Sequence, residues 1–323
     1  MEANMGKHAS KGKKVIIIAG PTASGKSALA LEVALRFNGY IVNADAMQVY
    51  KDLPILSAQP SEEAQALRPH FLYGLLPLDE ACSAMNWAER AKATIKTTDG
   101  LPILTGGTGL YLRALLEGLS PVPDIPFTIQ QEGREILAEE KGPGLHRILH
   151  NLDPIMAGRL HPNDSHRILR AYCVFRATGQ SLAGWQKISS PPSEFDPLYF
   201  VLLPDRSALY EKCNQRFYQM MMAGALEEVQ SVLLQYPQED FSLPGFKTLG
   251  FRELASYVQS KITLQDAIAA AQQHTRNYAK RQVTWFSHQL TNSNKIANLY
   301  ENMKLQESIA AEIFSKINGF LLT

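Results

Sequence analysis

Short apolar runs alternate with stretches of helical spacing over the first third of the chain. Val15–Ala19 is a continuous run rich in β-branched residues, which is typical of a strand buried on both faces of a parallel sheet. Ser27–Phe37 then places apolar residues at helical spacing. Further strands are predicted at Tyr40–Asn43 and Leu101–Thr105, and further helices at Trp87–Lys96 and Leu110–Leu119. Alternating strands and helices predict an α/β fold, a doubly wound parallel sheet flanked by helices.

The pattern becomes mostly helical after a proline-rich linker at Ser120–Pro126. A second boundary, rich in Pro and Ser, lies at Ser189–Pro197 and precedes Leu198–Leu203, an apolar run that predicts a strand returning to the sheet. We therefore predict a mostly helical insertion domain at 120–195 within a core formed by 15–119 and 196–323, after a disordered basic tail at 1–14. The rest of the core is predicted to be helical, over 206–235, 248–258, 264–290 and 302–317.

Composition narrows the class of protein without naming a partner. Of the 323 residues, 45% are hydrophobic and 20% charged, which is typical of a globular protein and excludes a mainly disordered chain. With 32 basic and 31 acidic residues the net charge is +1, so a nucleic-acid surface has to come from local clustering. The three cysteines lie far apart, and no apolar stretch approaches the ~20 residues of a membrane span. We expect a cytoplasmic monomer without a membrane partner.

The segment Gly20–Ser27 (GPTASGKS) fits the phosphate-loop pattern G-x-x-x-x-G-K-[ST]. It follows a predicted buried strand and precedes a predicted helix, which is the context that the pattern requires. Its glycines let the backbone wrap around a phosphate, while N–H groups and the helix N-terminus supply partial positive charge. Lys26 can reach phosphate oxygens, and Ser27 can hold Mg²⁺ or a phosphate oxygen. The segment predicts a site for a polyphosphate, but it does not indicate which polyphosphate binds there or which reaction follows.

The acid that usually accompanies a phosphate loop is missing from its usual place. An ATPase or GTPase carries an Asp at the end of another strand to hold Mg²⁺, whereas the strand at Leu101–Thr105 leads into Gly-Gly-Thr108. The strand at Tyr40–Asn43 leads instead to Asp45, at a carboxyl end of the sheet, where ligands of such folds bind. An Asp beside a diphosphate can act as a base toward an acceptor or hold the metal; the alternative is a structural helix cap.

Two acid-poor segments supply local positive charge. Between Arg159 and Arg176 there are four arginines and one acid, and Arg167 and Arg170 share a helix face. The stretch Ala267–Tyr300 holds no Asp or Glu in 34 residues and interleaves cations with aromatic residues. That pattern suits an RNA backbone with splayed bases, although each segment alone also fits an ordinary solvated helix.

Together these motifs resemble the tRNA dimethylallyltransferases, also called tRNA isopentenyltransferases. The matching segments appear in the family's order: Gly20–Ser27 (GPTASGKS), Asn43–Tyr50 (NADAMQVY), Gly106–Leu112 (GGTGLYL), Ala114–Leu119 (ALLEGL), His161–Arg170 (HPNDSHRILR), Leu249–Glu253 (LGFRE) and Thr275–Phe286 (TRNYAKRQVTWF). The resemblance covers the chain from about 15 to 290. HPND followed by R-x-x-R, and YAKRQ-x-TWF, are its most specific segments.

The resemblance implies transfer of the dimethylallyl group from dimethylallyl diphosphate to N6 of the adenosine 3′-adjacent to the anticodon, in tRNAs that read codons beginning with U. Known members flip that base into a channel through the protein, and chemistry on a base does require it to leave the stack. The diphosphate enters from the other end and sits on the phosphate loop. The implied partners are therefore the tRNA anticodon loop and dimethylallyl diphosphate, with Mg²⁺ as the cofactor.

The resemblance also implies roles for individual residues. Asp45 matches the general base that takes the N6 proton, Lys26 stabilises the leaving diphosphate, and Ser27 is the Mg²⁺ or phosphate ligand. Thr108 matches a catalytic-site threonine that contacts tRNA. The diphosphate is assigned to Gly20, Pro21, Thr22, Ala23, Ser24, Gly25, Lys26, Ser27 and Arg276. The tRNA is assigned to Asp45, Ala46, Met47, Gln48, Thr108, Gln130, His166, Arg167, Ile168, Leu169, Arg170, Lys280 and Arg281.

Some positions depart from the family's pattern, and other functions fit parts of the sequence. The departures, which together remove positive charge near the implied RNA path, are Ala46, Gln59, Gln130, His166 and Ser287. One alternative is a small-molecule kinase that uses the same loop on ATP and needs an acid-bearing Mg²⁺ site. Another is a degenerate member that holds tRNA without modifying it, and a closer relative is an enzyme that prenylates free AMP. Intact Lys26, Ser27 and Asp45 argue against the non-catalytic alternative.

Overall fold

The computed structural model describes residues 12–188, 193–237, 241–290, 293–300 and 307–323, apart from the side chain of Ser308. The chain forms two compact units, to which the described residues of Met1–Leu116 with Ser193–Thr323 and of Glu117–Pro192 belong. We call the first the sheet unit and the second the helical unit, and each is described by itself. Most of the predicted basic tail, residues 1–11, lies outside the described residues.

Parallel strands form the centre of the sheet unit. Within the described residues they are β1 (Lys13–Ala19), β2 (Gly39–Asn43), β3 (His70–Phe71), β4 (Leu101–Gly106), β5 (Phe195–Leu202) and β6 (Asn294–Ile296). Their order across the sheet is β3-β2-β4-β1-β5-β6, and each neighbouring pair is parallel. The predicted parallel sheet is thereby confirmed, including the return of the strand near 198 to pair with β1.

Helices make up most of the remaining regular structure in the described residues. Those before the helical unit are α1 (Lys26–Arg36), α2 (Pro54–Ser57), α3 (Glu62–Leu67), α4 (Ala84–Thr97) and α5 (Gly109–Leu116). In the helical unit they are α6 (Phe127–Leu152), α7 (Pro154–Ala157), α8 (Ser165–Thr178) and α9 (Leu182–Trp185). Those after it are α10 (Arg206–Met222), α11 (Ala225–Gln235), α12 (Phe251–Val258), α13 (Leu264–Gln289) and α14 (Glu307–Leu322), with a short 3₁₀ helix at Pro244–Lys247. No helix in the described ranges has the length and apolar character that a membrane crossing requires.

The first strand shows why the apolar pattern places it in the middle of the sheet. Val15–Ala19 is wholly buried, with β4 on one side and β5 on the other. The strand starts at Lys13, so Lys13 and Lys14 belong to the sheet and not to the predicted tail. Both ammonium groups donate to carbonyl oxygens: that of Lys13 to Ile95 at 2.5 Å, and that of Lys14 to Phe320 at 2.7 Å. The two ammonium groups are therefore held by carbonyl oxygens outside the strand, while the backbones of Lys13 and Lys14 pair with β5.

Glycines and short strands account for the other differences from the predicted elements. The predicted helix over 206–235 is divided into α10 and α11 at Gly224, which has a φ of +100°. The helix predicted at Leu110–Leu119 ends at Leu116, before Gly118, which has a φ of +75°. Such left-handed backbone ends a helix. Strands β3 and β6 contain two and three residues and carry too little pattern to be predicted.

The helical unit has its own core. Helices α6 and α8 pack together around buried side chains that include Leu145, Leu149, Ile168 and Tyr172. Helix α6 is kinked at Lys141, where φ is +59°. Helix α8 begins after Asp164, whose side chain accepts the backbone N–H of Arg167 at 3.4 Å and so caps its N-terminus.

Candidate active site

Gly20–Ser27 connects the carboxyl end of β1 to the N-terminus of α1. Gly20 and Gly25 have φ of +147° and +90°, where side chains are strained. A Cβ on Gly25 would lie 1.9 Å from the carbonyl oxygen of Tyr300, and one on Gly20 would lie 2.5 Å from that of Leu202. The two glycines thus allow the loop to curve tightly against neighbouring backbone. The N-terminus of α1, where orphan N–H groups favour anions, is left at the end of the loop.

Lys26 is held against the loop's own backbone. Its Nζ donates to the carbonyl oxygen of Pro21 at 2.6 Å, and the Ser24 hydroxyl donates to the same oxygen at 2.8 Å. Burial lowers the pKa of Lys26 to about 8; the charge of Asp45 opposes this shift, and the charge of Arg216 adds to it. An anion placed in the loop would favour the protonated amine again, so the site is electrostatically prepared for a negatively charged ligand.

Arg216, on α10, is a candidate site residue that motif reasoning misses. Its Nη1 donates to the Thr22 hydroxyl at 3.0 Å, and burial lowers its pKa. The sequence offers one weak signal, because Lys212 and Arg216 are four residues apart on α10 and share a helix face. The spacing does not say that this face turns toward the phosphate loop, since 194 positions separate Thr22 from Arg216.

A cavity of about 460 Å³ opens beside the phosphate loop. Lys26, Lys212 and Arg216 contribute its positive charge, and the hydroxyl-bearing Ser27 and Tyr300 line it as well. No carboxylate stands among the described residues that line it. The cavity is therefore suited to a polyanion of roughly the size of a small organic diphosphate, in keeping with the phosphate-loop prediction.

Asp45 is fixed at the carboxyl end of β2 by the residue two positions before it. The amide oxygen of Asn43 accepts the Asp45 N–H at 2.8 Å, and the Asn43 amide nitrogen donates to the Asp45 carbonyl oxygen at 3.0 Å. One carboxylate oxygen of Asp45, Oδ1, accepts the Met47 N–H at 3.0 Å. The other, Oδ2, is 3.3 Å from the place a Cβ would take on Gly107. The carboxylate thus faces the glycine turn that follows β4.

Thr108 ties that glycine turn to the segment around Asp45. Its N–H donates to the Ala44 carbonyl oxygen at 3.1 Å, and its hydroxyl oxygen accepts the Ala46 N–H at 3.0 Å. A Cβ on Gly106 would lie 2.1 Å from backbone atoms of Ala44, so the two chain segments touch directly. The carboxyl ends of β2 and β4 therefore form one rigid corner that presents Asp45.

The side chains of Met47 and Gln48, which follow Asp45, contact other segments of the sheet unit. Gln48 Nε2 donates to the carbonyl oxygens of Ser57 and Ala58, at 3.1 and 2.6 Å. The Thr248 hydroxyl lies 3.7 Å from the sulfur of Met47. The departure Gln59 is likewise bonded inward, since its amide nitrogen donates to the Tyr50 carbonyl oxygen at 2.7 Å. These contacts hold the segment in place beside the carboxylate.

Helix α13 borders the same corner. Burial raises the pKa of the Tyr278 phenol; the charge of Asp45 adds to that shift, while hydrogen bonds with Thr108 and Gln282 oppose it. The phenol is therefore neutral at ordinary pH and available as a hydrogen-bond donor. Farther along, a groove of about 530 Å³ is lined by Asn277, Lys280, Arg281, Thr284, Trp285, His288 and Gln289. Lys280 and Arg281 are exposed there, and the Arg281 guanidinium lies 5.6 Å from the Tyr278 ring centroid.

Arg276 is bonded to its neighbours and does not extend into the groove lining. Its Nη1 donates to the amide oxygen of Asn214 at 2.5 Å, and its Nη2 donates to that of Gln273 at 2.6 Å. Burial raises the pKa of Cys213 on α10, and the charges of Arg216, Arg276 and Lys26 oppose that shift. Arg276 therefore acts electrostatically on the region that holds the phosphate loop.

The helical unit carries the remaining predicted residues, and α8 presents only some of them. His166, Arg167 and Arg170 are exposed, whereas the side chain of Ile168 is wholly buried and that of Leu169 packs against the core of the unit. The two apolar side chains therefore serve the core and not a ligand surface. Gln130, on α6, donates to the Ile125 carbonyl oxygen at 2.8 Å. Among the predicted residues of this unit, the exposed cations Arg167 and Arg170 lie on α8.

The fold and site together define a class of protein. A phosphate loop, a cation-lined cavity and a carboxylate meet at the carboxyl edge of a parallel sheet, where ligands of such folds bind. The model of the IPP transferase family matches residues 48–289, and the chain belongs to this family, whose members include the tRNA dimethylallyltransferases.

Relatives and solved structures agree with this assignment. The tRNA dimethylallyltransferases of Paramagnetospirillum magneticum and Rhodospirillum rubrum are 48% and 46% identical to this chain, covering 95% and 96% of it and 97% and 95% of the relatives. A crystal structure of a eukaryotic dimethylallyltransferase acting on tRNA superposes with a TM-score of 0.82 at 26% identity, covering 96% of this chain and 79% of that one. The tRNA isopentenylpyrophosphate transferase of Bacillus halodurans gives a TM-score of 0.67 at 28% identity, covering 95% and 97%.

These comparisons confirm the resemblance inferred from the motifs. The chain is an enzyme of the prenyltransferase class, and its family's reaction is the addition of a dimethylallyl group to an adenosine of tRNA. The predicted function and enzyme class are therefore confirmed at the level of the family. The roles of individual residues, the metal and the RNA surface stay predictions.

Proposed function

We propose that this chain transfers the dimethylallyl group of dimethylallyl diphosphate to N6 of the adenosine 3′-adjacent to the anticodon, in tRNAs that read codons beginning with U. One observation carries the proposal: Asp45 follows the carboxyl end of β2, at the same edge of the parallel sheet as the phosphate loop, whose cavity is lined by Lys26 and Arg216. In such an arrangement the carboxylate supplies a base for the acceptor, and the anion site binds the leaving group.

The diphosphate is proposed to lie along Gly20–Ser27. Lys26 would exchange the Pro21 carbonyl for a diphosphate oxygen, and Arg216, already bonded to the Thr22 hydroxyl at 3.0 Å, would meet another. Arg276 is proposed to support the same anion through its charge, because it acts on Cys213 together with these two cations. Preorganised donors of this kind are typically worth about 10²–10³-fold each when charge develops in the transition state.

The chemical step follows from this arrangement. The N6 lone pair attacks C1 of the dimethylallyl group, the C1–oxygen bond breaks, and the diphosphate leaves with the bonding electrons. Asp45 accepts the proton that N6 loses, while Lys26 and Arg216 stabilise the charge on the diphosphate. Thr108 is proposed to keep Asp45 oriented and to contact the acceptor base, since its hydroxyl already bonds the Ala46 N–H beside the carboxylate.

Mg²⁺ is the proposed metal, held by Ser27 and by the diphosphate itself. Ser27 is exposed and lines the cavity, and hydroxyl and phosphate oxygens suit this hard cation. No group of three or more His, Cys, Asp or Glu side chains in the described part of the chain is arranged to hold a metal. The diphosphate would therefore supply most of the ligands, and the metal would neutralise part of its charge.

The tRNA is proposed to contact both units of a monomeric enzyme. In the sheet unit, Lys280 and Arg281 flank a groove with the aromatic ring of Trp285, a combination that suits phosphates and an unstacked base. In the helical unit, His166, Arg167 and Arg170 are the exposed candidates. The adenosine must leave the stack to reach Asp45, so the corner formed by the ends of β2 and β4 is the proposed acceptor pocket.

One assay tests this function. Purified protein is given dimethylallyl diphosphate labelled in the prenyl group, with tRNA, AMP or ATP as competing partners. We expect label in tRNA, one diphosphate released for each label incorporated, and no requirement for ATP. A tRNA with guanosine in place of the adenosine 3′ of the anticodon, and the Lys26→Ala variant, are the matched negative controls. Label in AMP would contradict the acceptor, and ATP-dependent release of ADP would favour the kinase alternative.

A further inference from the structure

A buried amide on α13 joins the two halves of the site. Gln282 is only 4% exposed, and a buried amide needs partners for its oxygen and its nitrogen. Its Oε1 accepts the N–H of Thr22, in the phosphate loop, at 2.8 Å. Its Nε2 donates to the carbonyl oxygen of Gly107, in the turn before Thr108, at 2.9 Å. The same side chain therefore contacts the segment proposed to hold the prenyl donor and the segment proposed to hold the acceptor.

This bridge stands where the sheet can no longer join the segments. Strands β1 and β4 pair in parallel as far as Ala19 and Gly106, and their chains then diverge into the phosphate loop and the glycine turn. The Gln282 amide accepts an N–H from the phosphate loop and donates to a C=O of the glycine turn. A peptide group of an intervening strand would make the same two hydrogen bonds. It thus continues the connection beyond the end of the ladder.

The space around the bridge is closed. A Cβ on Gly107 would lie 2.0 Å from Gln282 Nε2 and 3.3 Å from Asp45 Oδ2, so the amide and the carboxylate approach the same residue. The side chains of Gln282 and Thr108 also act on the Tyr278 phenol, since both oppose the rise of its pKa that burial causes. At the other end, Thr22 accepts a hydrogen bond from Arg216. The amide lies at the centre of a network that runs from the cavity cations to the proposed acceptor corner.

We infer that Gln282 is a positioning residue, which sets the distance and orientation between the phosphate loop and the Asp45–Thr108 corner so that C1 of the donor lies in line with N6 of the acceptor. The inference rests on the proposed function. The reacting atoms must be held about 3–3.5 Å apart, and a misplacement of about 1 Å can cost about 10²-fold in rate. Gln282 touches neither substrate in this assignment, so its loss should change the rate of transfer and leave each binding site in place.

The first test replaces the amide with an apolar side chain of similar length, Gln282→Met. We expect the single-turnover rate at saturating substrates to fall about 10–100-fold, while the dissociation constants for inorganic diphosphate and tRNA change by less than about threefold. Gln272→Met is the matched control, because Gln272 is a buried amide on the same helix that bonds the Asn214 carbonyl oxygen at 3.2 Å, outside the bridge. It should keep its rate.

The second test uses Gln282→Glu, which has the same shape. Ionised, this carboxylate can accept the Thr22 N–H but cannot donate to Gly107; protonated, it can do both. Burial and the charge of Asp45 favour its protonation, and the phenol of Tyr278 beside it stays neutral. The ratio of the variant's single-turnover rate to that of wild type should therefore rise as pH falls from about 8 toward 6. A merely structural role would leave this ratio flat.

Two results would overturn the inference. One is a Gln282→Met enzyme that transfers at the wild-type rate, and the other is one that loses binding of diphosphate or tRNA as much as it loses rate. Failure of the proposed function is distinguishable, because then wild type itself would not prenylate tRNA. If wild type used AMP instead, the same rate comparison would be made with that acceptor.

Discussion

Lys26 and Arg167 are both cations that we propose to meet phosphate oxygens, and they are held in opposite ways. Lys26 is bonded to the Pro21 carbonyl at 2.6 Å in a site where burial lowers its pKa to about 8. The Arg167 side chain is 76% exposed and lies 3.5 Å from Asp164. A charge in a desolvated, prearranged site interacts strongly with a ligand, whereas an exposed one is screened by water and salt.

The comparison predicts that the two regions fail differently. Around the phosphate loop and Asp45, hydrogen bonds are made before any substrate arrives, so single changes should act on the chemistry and act strongly. On α8, the contacts are replaceable and each is worth little, so changes should act on RNA affinity, add up and depend on salt. The predictions below start with the largest effect, and each would break or sharpen this contrast.

Asp45→Asn should produce the largest loss. The amide oxygen can still accept the Met47 N–H that Oδ1 now accepts, so the corner keeps its shape while the base is removed. We expect turnover to fall about 10²–10⁴-fold, the usual range for a lost general base. Single-turnover kinetics would measure it, with tRNA affinity as the internal control. Near-normal turnover would show that Asp45 is not the base.

The KM for dimethylallyl diphosphate should rise with pH because Lys26 titrates. Its pKa is lowered from 10.5 to about 8, so above pH 8 the free enzyme loses the cation that attracts the diphosphate. We expect KM to rise up to about tenfold per pH unit there, and kcat at saturation to change little. Between pH 8 and 10.5, Lys26 is protonated in the unfolded chain and mostly deprotonated in the folded one, so the unfolded chain binds more protons. The contribution of Lys26 to the free energy of unfolding therefore increases with pH over this range.

Lys26→Met provides the matched control for the pH effect. Its dissociation constant for inorganic diphosphate should already be high at pH 7 and should show no further rise above pH 8, since no amine remains to titrate. Titration calorimetry with inorganic diphosphate, from pH 7 to 9.5, would measure both proteins. A parallel rise of the dissociation constant in the variant would assign the titration to another group.

The contrast also shows which parts of the molecule could be predicted from sequence. Strands β1, β2 and β4 were found because each is a buried apolar run, and buried runs are set by local pattern. Strand β3, His70–Phe71, exists because its backbone meets Ile41 and Val42 in a parallel pairing. Strand β6 likewise exists because it pairs with β5. Pairings between distant segments leave no local signal in two or three residues.

The same division holds inside the site. The phosphate loop and Asp45 could be predicted because loop geometry and strand ends impose residue types that stand together in sequence. Arg216 could not be, and neither could the two partners of Gln282, because these contacts join segments far apart in the chain. The departure Gln59 illustrates the limit as well: its bond to the Tyr50 carbonyl gives it a structural task that its spacing does not reveal.

Replacing Arg167 and Arg170 together with glutamine should weaken tRNA binding moderately and make it less sensitive to salt. For single-stranded contacts the log–log slope changes by about 0.7 per phosphate, so two lost contacts should make it shallower by about 1–2 units. The KM for dimethylallyl diphosphate should stay constant. Arg147→Gln with Lys187→Gln is charge-matched in the same unit, and it should keep the wild-type slope. An unchanged slope in the first variant would remove α8 from the RNA surface.

Tyr300→Phe should have the smallest effect, because it removes one hydrogen bond from behind the phosphate loop. The Tyr300 N–H donates to the Ser24 carbonyl oxygen at 3.1 Å, and its hydroxyl donates to the carboxylate of Glu32, on α1. Phenylalanine keeps the backbone contact and the ring but leaves the Glu32 oxygen to water. The lost bond should lower the free energy of unfolding by about 1 kcal/mol, measured by urea denaturation.

The same variant separates support of the loop from chemistry. Because Tyr300 also lines the cavity, a loosened loop should raise the KM for dimethylallyl diphosphate by about two- to fivefold, within what 1 kcal/mol allows, and kcat should stay near wild type. Tyr218→Phe, at a residue 54% exposed on α10, is the control and should change neither quantity. A fall in kcat with unchanged KM would instead place Tyr300 among the groups that act on the transition state. Residues that hold the phosphate loop in place could then no longer be distinguished from residues that take part in the chemistry.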